Sequence, residues 1–132
     1  MKLLTKDTDY AVRALSYIAK NESKVTAVGE LVKALKIPRP FLRKILQILQ
    51  KKGILTSFKG KGGGFQLALP ADQIYMTDIM EAFQGPVKLT ECLFKKKMCP
   101  EIKKCPLKKR IDNIQKTVAQ ELRKITLSEL LI

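Results

Sequence analysis

The sequence predicts a mainly α-helical fold that carries one small β-hairpin. Apolar residues recur at steps of three and four over most of the chain, which is typical of amphipathic helices. The exception is the stretch ILTSFKGKGGGFQLALP, in which two short strands, Ile54–Lys59 and Phe65–Leu69, flank a turn rich in glycine. With 132 residues, 45% of them apolar and 29% charged, the chain has the size and composition of one globular domain.

The charge balance predicts a polyanionic partner. The net charge of +14 comes from 26 Lys and Arg against 12 Asp and Glu, and such an excess favours DNA, RNA or an anionic surface. No apolar run approaches the roughly 20 residues of a membrane span. The N-terminus is interrupted by Asp7, Asp9 and Arg13, so it does not resemble a signal peptide. We therefore expect a cytoplasmic protein with no membrane partner.

The first predicted helix runs from about Asp7 to Lys20. Thr5 or Thr8 can cap it, and the acidic residues of its first turn suit the positive end of the helix dipole. Its apolar stripe consists of Ala11, Val12, Leu15, Ile18 and Ala19.

Two further helices predict a DNA-binding motif. The second helix runs from about Thr26 or Ala27 to Leu35, and Gly29 stands where a capping box would place Glu. After a short turn, the third runs from about Pro40 to Lys52 and is ended by Gly53. Two short helices joined by a tight turn are typical of a helix-turn-helix. An ordinary helical pair with a solvated basic face is the alternative. The basic residues at the start of the third helix are Arg39, Arg43 and Lys44.

The hairpin that follows has the position of a wing. Lys59 and Lys61 place positive charge at its glycine-rich turn. The alternatives are a plain hairpin and a phosphate-binding loop of a nucleotide site. The second is disfavoured because these glycines join two strands, whereas phosphate-binding loops lead from a strand into a helix.

The pattern of the remaining sequence predicts a short helix and a long helix that forms a dimer interface. A short helix within Ala71–Phe83, capped by Thr77, is expected to bury Met76 and Met80 in the core. Pro106 begins a long helix whose apolar stripe exceeds what one small subunit is expected to cover, so we predict a homodimer helix, with intramolecular packing as the alternative. A capping box at Thr126 then starts a final turn to Ile132. The predicted dimer residues are Leu107, Ile111, Ile114, Val118 and Leu122.

All three cysteines lie in one short, Lys-rich stretch. Cys92, Cys99 and Cys105 follow a C-x6-C-x5-C spacing in a chain with no histidine. Reduced thiols favour metal, cluster or redox-sensing roles, and the usual structural zinc pattern of close cysteine pairs is missing. A metal-storage protein stays open as an alternative. An enzyme is not predicted, because no nucleophile is paired with a base.

These segments together resemble the Rrf-two family of bacterial winged-helix regulators. The resemblance is carried by TDYAVRAL, FLRKILQILQKKGIL, KGKGGGFQLA, the TECL and CP around the cysteines, and ITLSELL, in the family's order over essentially the whole chain. It implies a winged helix-turn-helix followed by a long C-terminal dimerisation helix. We expect a DNA-binding domain over residues 1–84, a cysteine-bearing sensor loop over 85–105, and the dimerisation helix with a C-terminal turn over 106–132.

The resemblance implies a homodimeric transcription factor, expected to be a repressor, that binds a partly palindromic double-stranded DNA operator. In such regulators the third helix enters the major groove and the wing reaches the minor groove. The implied base-reading residues are Arg39, Arg43 and Lys44, with Lys59 on the wing. Lys61 is either a phosphate contact or a solubility charge.

The resemblance also implies an iron–sulfur cluster that controls DNA affinity in response to nitric oxide, iron or redox state. Its ligands would be Cys92, Cys99 and Cys105, with Asp9 of the partner subunit as the fourth, since NsrR-like members use an Asp in this TDY motif. Asp9 is otherwise a helix N-terminal charge, and Glu91, Glu101 or a small thiol are alternative ligands. Whether the cluster has two or four irons stays open. The alternative function is a cluster-free regulator that senses oxidants through these thiols.

Overall fold

The structure confirms a mainly helical protein with one two-stranded antiparallel hairpin. It is a computed structural model that describes residues 3–86 and 106–131. Within those ranges, no helix is both long and apolar enough to cross a membrane. The elements in chain order are the helices α1 (Lys6–Lys20), α2 (Val28–Leu35) and α3 (Arg39–Lys51), the strands β1 (Leu55–Phe58) and β2 (Gly64–Leu67), and the helices α4 (Met76–Gln84) and α5 (Pro106–Arg123).

One hydrophobic core holds the first four helices together. The cap predicted for α1 is confirmed at Thr5, whose hydroxyl accepts a hydrogen bond from the Thr8 backbone N–H at 3.3 Å. The apolar spacing of α1 and α3 places their buried residues on one face each, so the two helices meet in the core. The fully buried members from these helices are Ala11, Ala14, Leu15, Ile18, Leu42, Leu46 and Leu49.

The turn between α2 and α3 confirms the predicted helix-turn-helix. Lys36 ends α2 in the left-handed conformation, with φ of 57°, and its N–H donates to the Val32 carbonyl at 3.0 Å. That conformation costs a residue with a Cβ about 1–2 kcal/mol. The buried side chain of Ile37 anchors the turn, and Pro38 is the N-cap of α3. The backbone of α3 therefore starts from a fixed position.

An acidic residue in the first turn of α2 ties this helix to α1. The Glu30 carboxylate accepts hydrogen bonds from the Lys24 ammonium at 2.8 Å and from the Tyr17 hydroxyl at 3.2 Å. The hydrogen bond from Lys24 is the largest cause that lowers the pKa of Glu30. As expected from Gly29, α2 has no side-chain cap, but the negative charge of Glu30 suits the N-terminal end of the helix.

The hairpin is held to the segment that enters α2. Thr26 pairs with Phe65 of β2, and each N–H donates to the other residue's carbonyl at 2.9 and 2.8 Å. Gly64 lies so close to this segment that a Cβ there would overlap the Thr26 carbonyl. The extended Thr26 therefore cannot begin α2, which starts two residues later at Val28.

One predicted helix cap is wrong, and the other is right in position but lacks its side-chain hydrogen bond. Thr77 lies inside α4, whose N-cap is Tyr75, and the Tyr75 N–H donates to the Asp78 carboxylate at 3.2 Å. Thr126 is the N-cap of the final 3-10 turn, as predicted, but the capping box does not form; its hydroxyl lies 2.9 Å from that of Ser128. Tyr75 and Thr126 form an antiparallel bridge, so both residues have extended backbones.

The C-terminal segment returns to the N-terminal core. The Leu127 N–H donates to the Ile74 carbonyl at 2.7 Å, and the Leu127 side chain is fully buried. Leu122 packs with Met76 and Met80 in a second apolar cluster. The prediction that both methionines belong to a core is therefore confirmed.

We expect Gly64→Ala to lower the free energy of unfolding by roughly 2–4 kcal/mol, because the new Cβ meets backbone atoms that cannot rotate away. Gly62→Ala is the matched control: its φ is also positive, at 79°, but nothing lies within 4 Å of a Cβ there. The control should lose only about 1–2 kcal/mol. Urea denaturation followed by circular dichroism measures both, and equal losses would contradict the close approach.

Candidate nucleic-acid interface

The first turns of α3 present the predicted base-reading residues to solvent. Arg39, Arg43 and Lys44 are all exposed, whereas the neighbouring Leu42 and Ile45 face the core. Because the apolar residues anchor one side of the helix, the cations project from the other side. This is the arrangement that a helix needs to enter a DNA groove.

The hairpin presents a second exposed basic position. Lys59 directly follows β1, and Lys61 lies in the turn; both side chains are exposed. β1 packs against α3, and the Ile54 N–H donates to the Leu49 carbonyl at 3.0 Å where the helix leads into the strand. The two basic positions are therefore carried by elements that pack directly against each other.

None of these cations is neutralised by the described part of the chain. Within residues 3–86 and 106–131, no carboxylate lies within 4.0 Å of Arg39, Arg43, Lys44, Lys59 or Lys61. The sequence explains why: between Leu31 and Ala71 there are nine Lys or Arg and no Asp or Glu. This uninterrupted positive stretch runs from the later part of α2 through α3 and the hairpin, so it favours binding of a polyanion along these elements.

Arg39 differs from the other cations in what its side chain touches. A Cβ at Gly29 would lie 3.4 Å from the Arg39 guanidinium, so this group lies over the first turn of α2. At that distance an added Cβ would make an ordinary van der Waals contact. The Arg39 guanidinium therefore lies beside α2, and its role as a base-reading residue stays a prediction.

Asp9, the predicted fourth cluster ligand, lies in the first turn of α1. Its carboxylate is 3.0 Å from the Arg13 guanidinium, one helical turn further on, and the two side chains are 48% and 59% exposed. An exposed pair of this kind contributes only about 0.3–0.5 kcal/mol. Asp9 can therefore exchange this partner for another at little cost.

A hydrogen-bond network joins the start of α1 to the end of α4. The Gln84 side-chain carbonyl accepts from the Thr5 N–H at 3.1 Å and from the Thr8 hydroxyl at 2.8 Å. Its amide nitrogen donates to the Leu3 carbonyl at 2.8 Å. Sequence reasoning missed Gln84, because a polar residue at a helix end carries no signal of a partner near the other end of the domain.

The predicted dimer helix is apolar and exposed mainly in its N-terminal half. Leu107 is 67% exposed and Ile114 is 54% exposed, whereas Ile111 and Val118 are half-buried. Leu122 is covered by its own chain. The intramolecular alternative therefore applies to the last turns of α5, and the earlier turns keep an apolar surface without a partner among the described residues.

The predicted thiol ligands Cys92, Cys99 and Cys105 lie outside the described residues. In the described ranges, no three Asp, Glu, His or Cys residues come together in a way that could hold a metal ion. Of the sensor loop predicted over residues 85–105, Gly85 and Pro86 are described, and α5 begins directly after the loop at Pro106.

Comparison with known proteins connects these features to transcriptional regulation. The chain matches the Rrf2 (Rrf-two) family model, an iron-dependent transcriptional regulator, over residues 4–132. It is 44% identical over 92 residues to a candidate HTH-type transcriptional regulator of Aquifex aeolicus (strain VF5), a match that covers 70% of this chain and 64% of that relative. It is also 31% identical over 128 residues to Protein aau3 of Rhizobium meliloti (strain 1021), covering 96% of this chain and 83% of that protein.

Solved structures share the fold. The likeness to CymR, the global cysteine regulator of B. subtilis, has a TM-score of 0.82 at 22% identity and covers 98% of this chain and 96% of that one. The likeness to T. potens IscR has a TM-score of 0.72 at 21% identity and covers 98% and 85%. At these identities the likeness shows the winged-helix fold alone.

We expect Gln84→Ala to lower the free energy of unfolding by about 1–3 kcal/mol, because three hydrogen bonds at a partly buried position are lost together. Gln66→Ala is the matched control, since the Gln66 amide makes one exposed hydrogen bond, to the Glu22 carbonyl at 2.9 Å. Its effect should stay below about 0.5 kcal/mol. Thermal and urea denaturation test the difference. Similar effects of both substitutions would argue against the role of Gln84 in joining the start of α1 to the end of α4.

Proposed function

This chain belongs to the Rrf2 family of transcriptional regulators, and from that premise we propose that it binds a double-stranded DNA operator as a homodimer. The helix α3 enters the major groove, and the hairpin reaches the adjacent minor groove. The family is one of regulators rather than enzymes, in agreement with the interpretation of the sequence. The division into residues 1–84, 85–105 and 106–132 stays a prediction.

The observation that carries this proposal is the set of five exposed cations that have no carboxylate partner among residues 3–86 and 106–131. Arg43 and Lys44 are the proposed base contacts, because they project from the exposed side of α3 beyond its first turn. Arg39, Lys59 and Lys61 are proposed phosphate or groove contacts. None of these cations has to break an ion pair with the described part of the chain before it meets a phosphate, so the counterions released from DNA add to the affinity.

The dimer is proposed to form through the first turns of α5. Two copies of α3 must lie about one DNA turn apart, roughly 34 Å, to read two half-sites. Burial of Leu107, Ile111 and Ile114 against a second copy would remove the exposed apolar surface of α5 from water. The dimer helix would then set the separation of the recognition helices.

The operator affinity is proposed to be controlled by an iron–sulfur cluster. The donor chemistry fits, since thiolates of Cys92, Cys99 and Cys105 are soft ligands and the Asp9 carboxylate is exposed with only a weak ion pair to replace. Such a cluster supplies an iron centre that reacts with oxidants and nitric oxide.

The residues of this chain offer a route from the sensor to the DNA-binding helices. Thr8 precedes Asp9, and its hydroxyl donates a hydrogen bond to the Gln84 side chain. Gln84 lies two residues before the point where the described segment ends and the chain continues to the cysteines. Through α1, the same network reaches the core that carries α3. A change at Asp9 or beyond Gln84 would bias the position of α1, and with it the operator affinity.

The cluster is tested by iron and acid-labile sulfide measured on protein purified without oxygen. Cys99→Ala should abolish iron binding, because one thiolate ligand is lost. The variant should still form a folded dimer. Asp9→Ala should lose iron faster than the wild type. Asp7→Ala is the matched control, since Asp7 lies in the same turn of α1, and it should behave as the wild type.

Three outcomes would contradict the assignment. Normal iron occupancy in Cys99→Ala would remove the thiol ligand set, and equal behaviour of the two Asp variants would leave Asp9 as a helix N-terminal charge. An iron-free wild type that still binds DNA would point to the thiol-redox regulator instead.

DNA recognition is tested with Arg43→Ala. Loss of a bidentate contact to guanine should weaken binding by about 1–3 kcal/mol at the preferred operator and relax the preference at one position. Lys109→Ala, which removes an exposed cation from α5, is the control and should bind the operator as the wild type does. Fluorescence anisotropy at several salt concentrations measures both variants. A uniform loss over all DNA sequences would reassign Arg43 to a phosphate.

A further inference from the structure

An aromatic side chain in the first turn of α3 is largely exposed to solvent. Phe41 is 57% exposed, the largest exposed fraction of any large apolar residue in 3–86. The next residue, Leu42, is fully buried in the core. Exposure of more than half of the side chain forgoes much of the stabilisation that burial would give, so Phe41 contributes less to folding than a buried phenylalanine would.

The backbone at Phe41 has a fixed conformation, so the direction in which this side chain leaves the helix is defined. Pro38 is the N-cap of α3 and Pro40 is the second residue of the helix, so φ is fixed on both sides of Arg39. Leu42 anchors the turn from the core side. A phenylalanine has only two side-chain torsions, so little further freedom is lost when the ring meets a partner.

The charges around Phe41 restrict what that partner is. Lys44, three residues further on, is the neighbour of Phe41 on the helix surface, and Arg43 lies on the other flank of the exposed face. Neither cation has a carboxylate of the described residues within 4.0 Å. A matching surface must combine negative groups with a small apolar group within a few ångströms. The major groove of DNA does so, because phosphates line its edges and the thymine C5-methyl group projects into it.

We propose that Phe41 contacts the C5-methyl group of a thymine in each operator half-site, and so adds an apolar base contact that the cations of α3 cannot supply. The inference rests on the proposed DNA-binding function and deepens it, since it names a further specificity-determining residue. It requires a thymine at one position of each half-site. The discrimination comes from a methyl group that uracil lacks.

The test replaces thymine by deoxyuridine. An operator is first selected from random double-stranded DNA with the full chain, and each thymine is then replaced, symmetrically in both half-sites. Wild-type affinity, measured by fluorescence anisotropy, should fall about fourfold per half-site at one position, as expected for one buried methyl group. Phe41→Ala should bind thymine and uracil operators equally, and Phe41→Leu should retain part of the preference.

Phe58→Ala is the matched control. Phe58 is 44% exposed and lies at the end of β1, beside the hairpin turn that is proposed for the minor groove. No thymine methyl group is displayed in that groove. Phe58→Ala should therefore keep the full wild-type response to uracil, whatever its overall affinity.

The proposal is overturned if the selected half-sites lack thymine, if the wild type is insensitive to every uracil replacement, or if Phe41→Ala keeps the wild-type penalty. A Phe41→Ala protein with a lowered urea midpoint and equally weakened binding to all DNA would show a structural role and overturn it too. Failure of the wild type to select any sequence would overturn the proposed function itself, and that failure would appear before uracil is introduced.

Discussion

The backbone pairing of Thr26 with Phe65 is the contact on which the geometry of the DNA-binding surface depends. A hairpin with four residues in each strand is marginal by itself. Its pairing with the segment that enters α2 makes it part of the helix-turn-helix instead. Gly64 is required for the same reason, because any side chain there would separate the two segments. The wing and α3 consequently keep one relative position, which two-groove recognition requires.

Local patterns in the sequence predicted most of the fold. The boundaries of α1, α2 and α3 agree with their apolar spacing to within about two residues, since burial of one helix face is a periodic property. The predicted cap at Thr77 is wrong because Tyr75, which is extended where it bridges to Thr126, is the N-cap of α4. That bridge joins segments far apart in the chain, and no local pattern records it.

The sequence predicted which residues form the candidate site, but not which other residues surround them in the folded chain. A basic helix start and a basic hairpin turn are visible in the sequence, and their lack of acidic neighbours follows from the acid-free stretch. That Arg39 lies over Gly29, that Leu122 packs within its own chain, and that Gln84 holds the start of α1 depend on tertiary contacts. Single-sequence patterns do not encode such contacts, so these three residues acquire their roles only in the folded chain.

The acid-free stretch between Leu31 and Ala71 also has a thermodynamic consequence. Nine like charges on one compact unit repel each other in the folded state more than in an extended chain, so the free protein is less stable than its core alone would make it. DNA phosphates remove that repulsion. By mass action the DNA-bound molecules are then the ones most resistant to unfolding and proteolysis. The lifetime of the regulator in the cell would in this way depend on how much of it is bound to DNA.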